Sequence, residues 1–390
     1  MKKILFLIPS FEHGGTNKSF SNILSLVDFV DAELNLFCIK NNYKGSYKEI
    51  FKSIKDINIL KESKMLAGAF FTYDNNKNIL RKIALFSCRV ICKLFRRKFR
   101  CYALKRAAKK LSGQYDTVVA LEEGITTFLA SHIEAPYKIS WVRCEYSRYL
   151  ELTGLDERAQ YESFNNIVCV SEASRNNFLN VFPQFSEKTI VIKNFQNEKK
   201  IIELSEKDEV CFDKNHFNIV SVGRLDIVKQ FSAIPGIVDS IKQRGHSVTW
   251  YILGDGPERF EIEKEIKKYG LCNDVVLKGF VDNPYPYIKS ADLVAVTSKS
   301  ESFCNVIEES KILLTPVITT PFAASCELVE SGINGVISDI ENFSDSICNL
   351  ITDKTKYISI KNMLKNSLYV SNVSVSKIRQ LVLEHKIRKV

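Results

Sequence analysis

Hydrophobic positions along this chain arrive as short solid runs, separated by longer stretches in which they recur at helical intervals. The first run, residues 2–8 (KKILFLI), is followed by Pro9 and then by Gly14-Gly15. A run of this kind reads as a strand buried on both faces that ends in a glycine turn. Over residues 16–29, Phe20, Ile23, Leu24 and Val27 then recur at helical spacing. Strand, glycine loop and helix in that order open a βα unit. Similar short runs occupy 34–39, 117–121, 138–142, 166–170 and 189–192, with helix-like patterns between several of them.

A second series follows residues 196–213 (QNEKKIIELSEKDEVCFD), which are charged and are read as a linker. Strand-like runs then fall at 217–222, 248–253, 275–277, 293–296 and 317–319, with helical patterns at 234–243 and 259–269. Parallel strands need such crossover helices. The pattern predicts two successive doubly wound α/β domains, with surface helices after about residue 355.

Composition narrows this picture in three ways. The chain has 390 residues, 45% of them apolar and 26% charged, which fits a globular protein and not a disordered one. No stretch approaches the about 18–20 consecutive apolar residues of a membrane span. The opening MKKILFLIPSFEHGG imitates a signal peptide, but its apolar run stops at Glu12-His13 without a small-residue cleavage site, so the strand reading is kept. Eleven cysteines show neither a CxxC pair nor zinc spacing. They are expected to be buried, unpaired thiols in a reducing compartment, with Cys88 and Cys92 on one helix face.

The net charge of +10 is local. Residues 75–115 hold thirteen Lys and Arg and no Asp or Glu, so the rest of the chain is slightly acidic. Three readings apply: a solvated helix face, a nucleic-acid-binding surface, or a membrane-docking surface. The last is favoured because Ile79, Ile83, Leu85, Phe86, Val90, Ile91, Leu94, Phe95 and Phe99 lie among the cations, as in an interfacial helix. Regular aromatic interleaving and known nucleic-acid modules are absent.

Candidate chemistry gathers at strand ends. Glycines in Glu12-His13-Gly14-Gly15-Thr16 let a backbone approach a phosphate at a helix N-terminus, or simply make a turn. In the second series, Gly223-Arg224-Leu225 closes a strand and Lys229 follows. Arg offers a planar fork and Lys a point charge for a diphosphate leaving group; the plainer reading is two surface cations. Gly254-Asp255-Gly256-Pro257 and Lys278-Gly279-Phe280 end two further strands. Glu301 and Glu309 stand eight positions apart, the first on a loop and the second on a helix expected to begin near Asn305. Carboxylates there can take vicinal sugar hydroxyls and the amides can take a phosphate, or the pair is a solvated helix face.

The ordered set resembles the retaining GT-B glycosyltransferases of family 4, also called glycosyltransferase group 1. The residues that carry it are Gly223, Arg224, Leu225 and Lys229; Gly254 to Pro257; Glu301, Phe303, Glu309, Pro316 and Val317; and the ELVExGxNG pattern from Glu327 to Gly335. Gly14-Gly15, the segment from Val168 to Glu172 and Asn194 extend the likeness through the first half. The resemblance implies α/β GT-B architecture, two Rossmann-like doubly wound domains facing across a cleft. Their expected limits are 1–197 and 198–370, with 371–390 as a helix returning to the first domain.

It also implies roles. Arg224 and Lys229 would hold the donor diphosphate, Glu301 the donor-sugar hydroxyls and Glu309 the ribose. Amides around Phe303, Cys304, Asn305 and Val306 would hold sugar and phosphate. Backbone near Gly279-Phe280 would meet the base, and Gly14-Gly15 would cover the diphosphate. No cofactor and no metal is expected, and no DxD pattern stands out. Relatives often carry W-x-H-x-D where this chain reads Trp141-Val142-Arg143-Cys144-Glu145. Arg143 stays protonated and is no general base, so Arg143 and Glu145 become acceptor-side candidates, with a structural role equally open for Arg143.

The expected activity is transfer of a sugar from a nucleotide-diphosphate sugar, uridine favoured over guanosine, to a saccharide acceptor, lipid-linked, with retention, in surface polysaccharide synthesis. The expected setting is the cytoplasmic face of the plasma membrane, reached through the basic region, with no nucleic acid as partner. The rivals are a catalytically silent GT-B partner protein, a nucleic-acid binder using residues 75–115, and another GT-B activity such as a nucleotide-sugar epimerase.

Overall fold

The structure, a computed structural model, describes residues 1–12, 14–40, 47–53, 57–60, 66, 98–366 and 372–386. It divides into two compact units, one of Met1–Phe195 with Asn372–Val390 and one of Gln196–Ser371. The sequence reading had set these limits at residues 197 and 370.

In the first unit the described strands are β1 Lys2–Ser10, β2 Ala32–Lys40, β3 Ile57–Ile59, β4 Thr117–Ala120, β5 Tyr137–Val142, β6 Asn166–Cys169 and β7 Thr189–Val191. They pair in parallel in the order β3-β2-β1-β4-β5-β6-β7. The second unit holds β8 Phe217–Val222, β9 Val248–Leu253, β10 Val275–Gly279, β11 Leu293–Val296, β12 Val317–Thr319 and β13 Val336–Ile337. These are also parallel, in the order β10-β9-β8-β11-β12-β13. In β1, Ile4 to Ile8 are at most 1% exposed, which is why the strand reads as a solid apolar run: both of its faces are covered.

Each sheet grows outward from its first strand and then reverses. The reversal lies between β1 and β4 in the first unit and between β8 and β11 in the second. Outside the carboxyl ends of such a strand pair is where open α/β sheets bind ligands. Two aromatic features fix these centres. In the second unit, fully buried Trp250 donates its indole N–H to Ser221 Oγ at 3.0 Å, and that hydroxyl donates to the Ala295 carbonyl at 2.6 Å. The polar atoms therefore join three adjacent strands without an unmet bond. In the first unit, Tyr146, Tyr161, Phe178, Phe182 and Phe185 pack ring against ring beside the sheet.

Several expectations are corrected. The linker contains the helix Glu198–Ser205, capped by the Asn197 side chain on the Lys200 N–H and anchored by buried Ile201 and Ser205. Its surrounding Lys and Glu hid so short an apolar stripe. Residues 98–111 are helical, and Ala103, Leu104, Ala107, Ala108 and Leu111 face the core of the first unit. The apolar face of this part of the basic region is thus occupied by its own domain, leaving Phe99 and Tyr102 exposed at 36% and 58% among Lys98, Lys105, Arg106, Lys109 and Lys110. The basic residues before 98, with Cys88 and Cys92, lie outside the described residues, as does His13. Among the described cysteines Cys211, Cys272 and Cys326 are exposed, against the expectation of buried thiols. Among the described residues no helix is long and apolar enough to cross a membrane.

The terminal segment packs against the amino-terminal ends of β4 and β5. Leu381 and Val382 are fully buried, Thr117 Oγ1 donates to the Val382 carbonyl at 3.1 Å, and the His385 ring stacks on Tyr137 at 4.1 Å.

Candidate functional site

Three motif loops of the second unit are joined by their backbones. The Gly223 N–H donates to the Leu253 carbonyl at 3.0 Å, Leu225 N–H to Asp255 at 3.1 Å, Glu258 N–H to Leu225 at 3.0 Å, and Gly254 N–H to Gly279 at 2.7 Å. The ends of β8, β9 and β10 therefore form one continuous rim. Contact is close enough to demand glycine: a Cβ at Gly254 (φ +154°) would lie 1.8 Å from the Gly223 carbonyl oxygen. At Gly256 it would lie 2.3 Å from that of Leu225.

On this rim the Arg224 side chain is exposed and, among the described residues, makes no ion pair or hydrogen bond. Lys229 ends a short 3-10 turn whose Asp226 side chain caps the Val228 N–H. Its ammonium donates to Glu301 Oε1, which also accepts from Ser298 Oγ at 2.8 Å. The two charged side chains are only 23% and 17% exposed. Burial alone would lower the Lys229 pKa, but the Glu301 carboxylate outweighs it and the net shift is upward. The ammonium is held charged. Thr297 Oγ1 donates to the Lys229 carbonyl at 2.6 Å and Lys299 N–H to that of Val228 at 2.7 Å, so the β8 and β11 loops are sewn together at the strand reversal.

The helix Asn305–Ile312 starts just beyond, carrying buried Glu309, which is 1% exposed. Phe303 and Cys304 before it are buried, and burial followed by the Glu301 charge pushes the Cys304 thiol up to about 12, so it stays protonated. Asn305 Oδ1 accepts from Gln196 Nε2 at 3.0 Å, and Val306 is half-buried. Gly279 has φ +72°, and Phe280 after it is 56% exposed. Arg224, Lys229, Glu301, Gly279 and the helix bearing Glu309 thus share the carboxyl edge of one sheet, although the first and last of them stand far apart in the sequence.

In the first unit Gly14 stands at the N-cap of the helix Gly15–Leu26, beyond the end of β1. Arg143 follows β5 and turns inward. Its Nε donates to the Leu121 carbonyl at 2.7 Å, and one terminal nitrogen donates to Ser19 Oγ and to Asn194 Oδ1, each at 3.0 Å. Its own N–H donates to Glu123 at 2.9 Å. Burial pulls the guanidinium down to about 10 against the neighbouring Glu122 and Glu123, so it remains a cation at neutral pH. Glu145 lies at the N-cap of the helix Tyr146–Thr153, half-buried.

Sequence reading missed the carboxylates beside Arg143. Glu122, just past β4, hydrogen-bonds Thr16 of the glycine loop, and burial with the Glu123 charge raises it to about 7. Glu157, 5% exposed, accepts from the Gly124 N–H at 2.9 Å and the Tyr146 hydroxyl at 3.2 Å, and burial raises it to about 8. The signal available was Glu122-Glu123-Gly124 directly after an apolar run, at a strand end where solvated turn residues are equally common.

Residues 202–366, most of the second unit, match the family model described as glycosyl transferases group 1, which supports the group 1 part of the family resemblance. The chain is 28% identical over 140 residues to the lipopolysaccharide core biosynthesis glycosyltransferase LpsE of Rhizobium meliloti, covering 35% of this chain and 40% of that protein. It is 31% identical over 125 residues, covering 32% of this chain and 33% of the relative, to N-acetylgalactosamine-N,N'-diacetylbacillosaminyl-diphospho-undecaprenol 4-alpha-N-acetylgalactosaminyltransferase of Campylobacter jejuni. The chain thus spans less than half the length of these two curated relatives. Over its whole length the fold is similar to Anabaena Alr3699/HepE in complex with UDP-glucose, with TM-score 0.70, 19% identity and 99% of both chains covered. Two parallel-sheet, Rossmann-like units of this kind are the GT-B fold.

Proposed function

We propose that this protein transfers a sugar, with retention, from a nucleotide-diphosphate sugar to a saccharide acceptor in surface glycan synthesis. The observation that carries the reading is the shared strand-end rim of Arg224, Lys229 and Glu301 beside the helix of Glu309. A leaving diphosphate gains charge as the bond to the sugar breaks. The Arg224 fork, the Lys229 ammonium and the N-terminal amides of the helix Asn305–Ile312 are placed to take that charge. Glu301 takes donor-sugar hydroxyls and Glu309 takes those of the ribose. The sugar's anomeric carbon exchanges its bond to the phosphate oxygen for one to the acceptor oxygen on the same face. The acceptor proton passes to the departing phosphate.

A uridine donor is favoured, in line with the UDP and UDP-glucose complexes of the HepE fold relative. A lipid-linked acceptor is supported by the undecaprenol-linked substrate named for the Campylobacter relative. Docking on an anionic membrane at the cytoplasmic face would use the basic region, of which Lys98, Lys105, Arg106, Lys109 and Lys110 flank exposed Phe99 and Tyr102. Glu122, Thr16 and Arg143 border the strand reversal of the first unit, on the acceptor side of the reaction.

The test is a thermal-shift and hydrolysis screen with uridine and guanosine diphosphate sugars, comparing wild type with Glu309→Ala and Arg224→Ala. One nucleotide should raise the melting midpoint of wild type and of neither variant. Equal stabilisation of all three proteins, or none by any nucleotide sugar, would refute the donor site.

A further inference from the structure

We propose that Glu301 is an electrostatic brake on Lys229: when no sugar occupies the site, it neutralises the ammonium and loosens the hold on a free nucleoside diphosphate. This rests on the donor-site reading above.

Four observations lead to it. Lys229 and Glu301 are paired directly, and both side chains are largely shielded from water. The pair is fixed from both ends. Ser298 holds the same carboxylate oxygen, and the Lys229 backbone is tied to Thr297. The lysine stem runs past Gly223, where a Cβ would sit 3.4 Å from Cε, so the bare glycine leaves the stem its path to Glu301. Arg224, two residues past the end of β8, is exposed and has no ionic partner among the described residues. One cation of the pair is therefore free and the other is already matched.

The consequence differs for substrate and product. With a nucleotide sugar bound, sugar hydroxyls donate to Glu301 and offset its charge, leaving Lys229 to the phosphates. After transfer the sugar is gone, and the nucleoside diphosphate carries one more negative charge than the donor did. It then meets a bare carboxylate beside the lysine it needs, and like charges in a partly buried site repel strongly. Glu301 thus favours the donor over the spent nucleotide and speeds product loss, a step that limits turnover in many enzymes.

The experiment is calorimetric titration of UDP and of GDP into wild type, Glu301→Gln, Glu301→Ala, Lys229→Met and the Lys229→Met/Glu301→Gln double variant, each checked for a wild-type-like melting profile. Glutamine keeps the acceptor oxygen for Ser298 and removes only the charge. The expected result is that Glu301→Gln binds the preferred nucleoside diphosphate about fivefold tighter or more. In the Lys229→Met background the same change should shift affinity by less than about twofold. Alanine serves if glutamine impairs folding. Unchanged or weaker nucleotide binding in both Glu301 variants, with Lys229→Met still weakened, overturns the brake and leaves the donor site standing. Absence of nucleotide binding in every protein overturns the donor site itself.

Discussion

A single methyl group at Gly254 tests whether the joined loops are the foundation of the site. In Gly254→Ala the new Cβ starts 1.8 Å from the Gly223 carbonyl oxygen and 2.9 Å from its carbon. An unstrained C···O contact is about 3.3 Å, so the two backbones must part by roughly 1.5 Å. Neither can do so freely. Gly223 is bonded to Leu253 and Gly254 to Gly279, at 3.0 and 2.7 Å. Losing one such bond costs about 1 kcal/mol, the positive φ about 1–3 and the overpacking about 1–3. The expected loss is about 3–7 kcal/mol. For a unit of this size each kcal/mol lowers the melting point by about 2–4 °C, so the second unit should melt roughly 6–28 °C lower. Differential scanning calorimetry reads this directly. Gly245→Ala is the control: it also has positive φ (+81°) but nothing within 4 Å of its Cβ, and should cost only about 1–2 kcal/mol. If Gly254→Ala melts within about 3 °C of that control, the close approach does not hold the loops together.

Three further outcomes are expected. Glu157 has a folded pKa raised to about 8 from an ordinary value of 4.5, so the folded protein binds the proton more tightly and stability falls as pH rises from about 4.5 to 8. Glu157→Gln mimics the protonated carboxyl. It should melt higher than wild type at pH 8, match it near pH 4.5, and flatten the slope between in a melting series. Arg143→Met removes the cation from beside Glu122 and Glu123 and takes its hydrogen bonds from Ser19 and Asn194, which keep their bond to each other, and should cost about 3–5 kcal/mol in urea titration. A change in acceptor KM at unaltered stability would instead mark Arg143 as an acceptor ligand. Replacing Lys98, Lys105 and Lys109 with Glu should leave the melting point within about 2 °C, since all three are exposed, yet abolish co-sedimentation with anionic vesicles; unchanged co-sedimentation would sink this docking face.

The strands most legible in the sequence are those covered on both faces. Burial on both sides makes 4–8 a solid apolar run and 217–222 a mostly apolar one, and the glycine turns after them mark the carboxyl ends where ligands gather. β3 and β13 left no such run, because edge strands of only three and two residues are too short to show an apolar pattern. Individual site residues were legible through their motifs, but their pairing was not. Lys229 and Glu301 are 72 positions apart and meet only because β11 returns to lie beside β8. Likewise the inward turn of Arg143 depends on Ser19 and Asn194, which sit on distant segments brought in by the sheet order.

The split make-up of the first unit gives its assembly a timetable. Its early strands emerge from the ribosome first, but the segment that covers the amino-terminal ends of β4 and β5 follows residue 371. At about 5–20 residues per second, making residues 196–371 takes roughly 10–35 s. Throughout that interval Thr117 and Tyr137 lack Val382 and His385, and the ground left for Leu381 stays open. The nascent first sheet therefore waits, the amino ends of β4 and β5 bare, while an entire second sheet is synthesised.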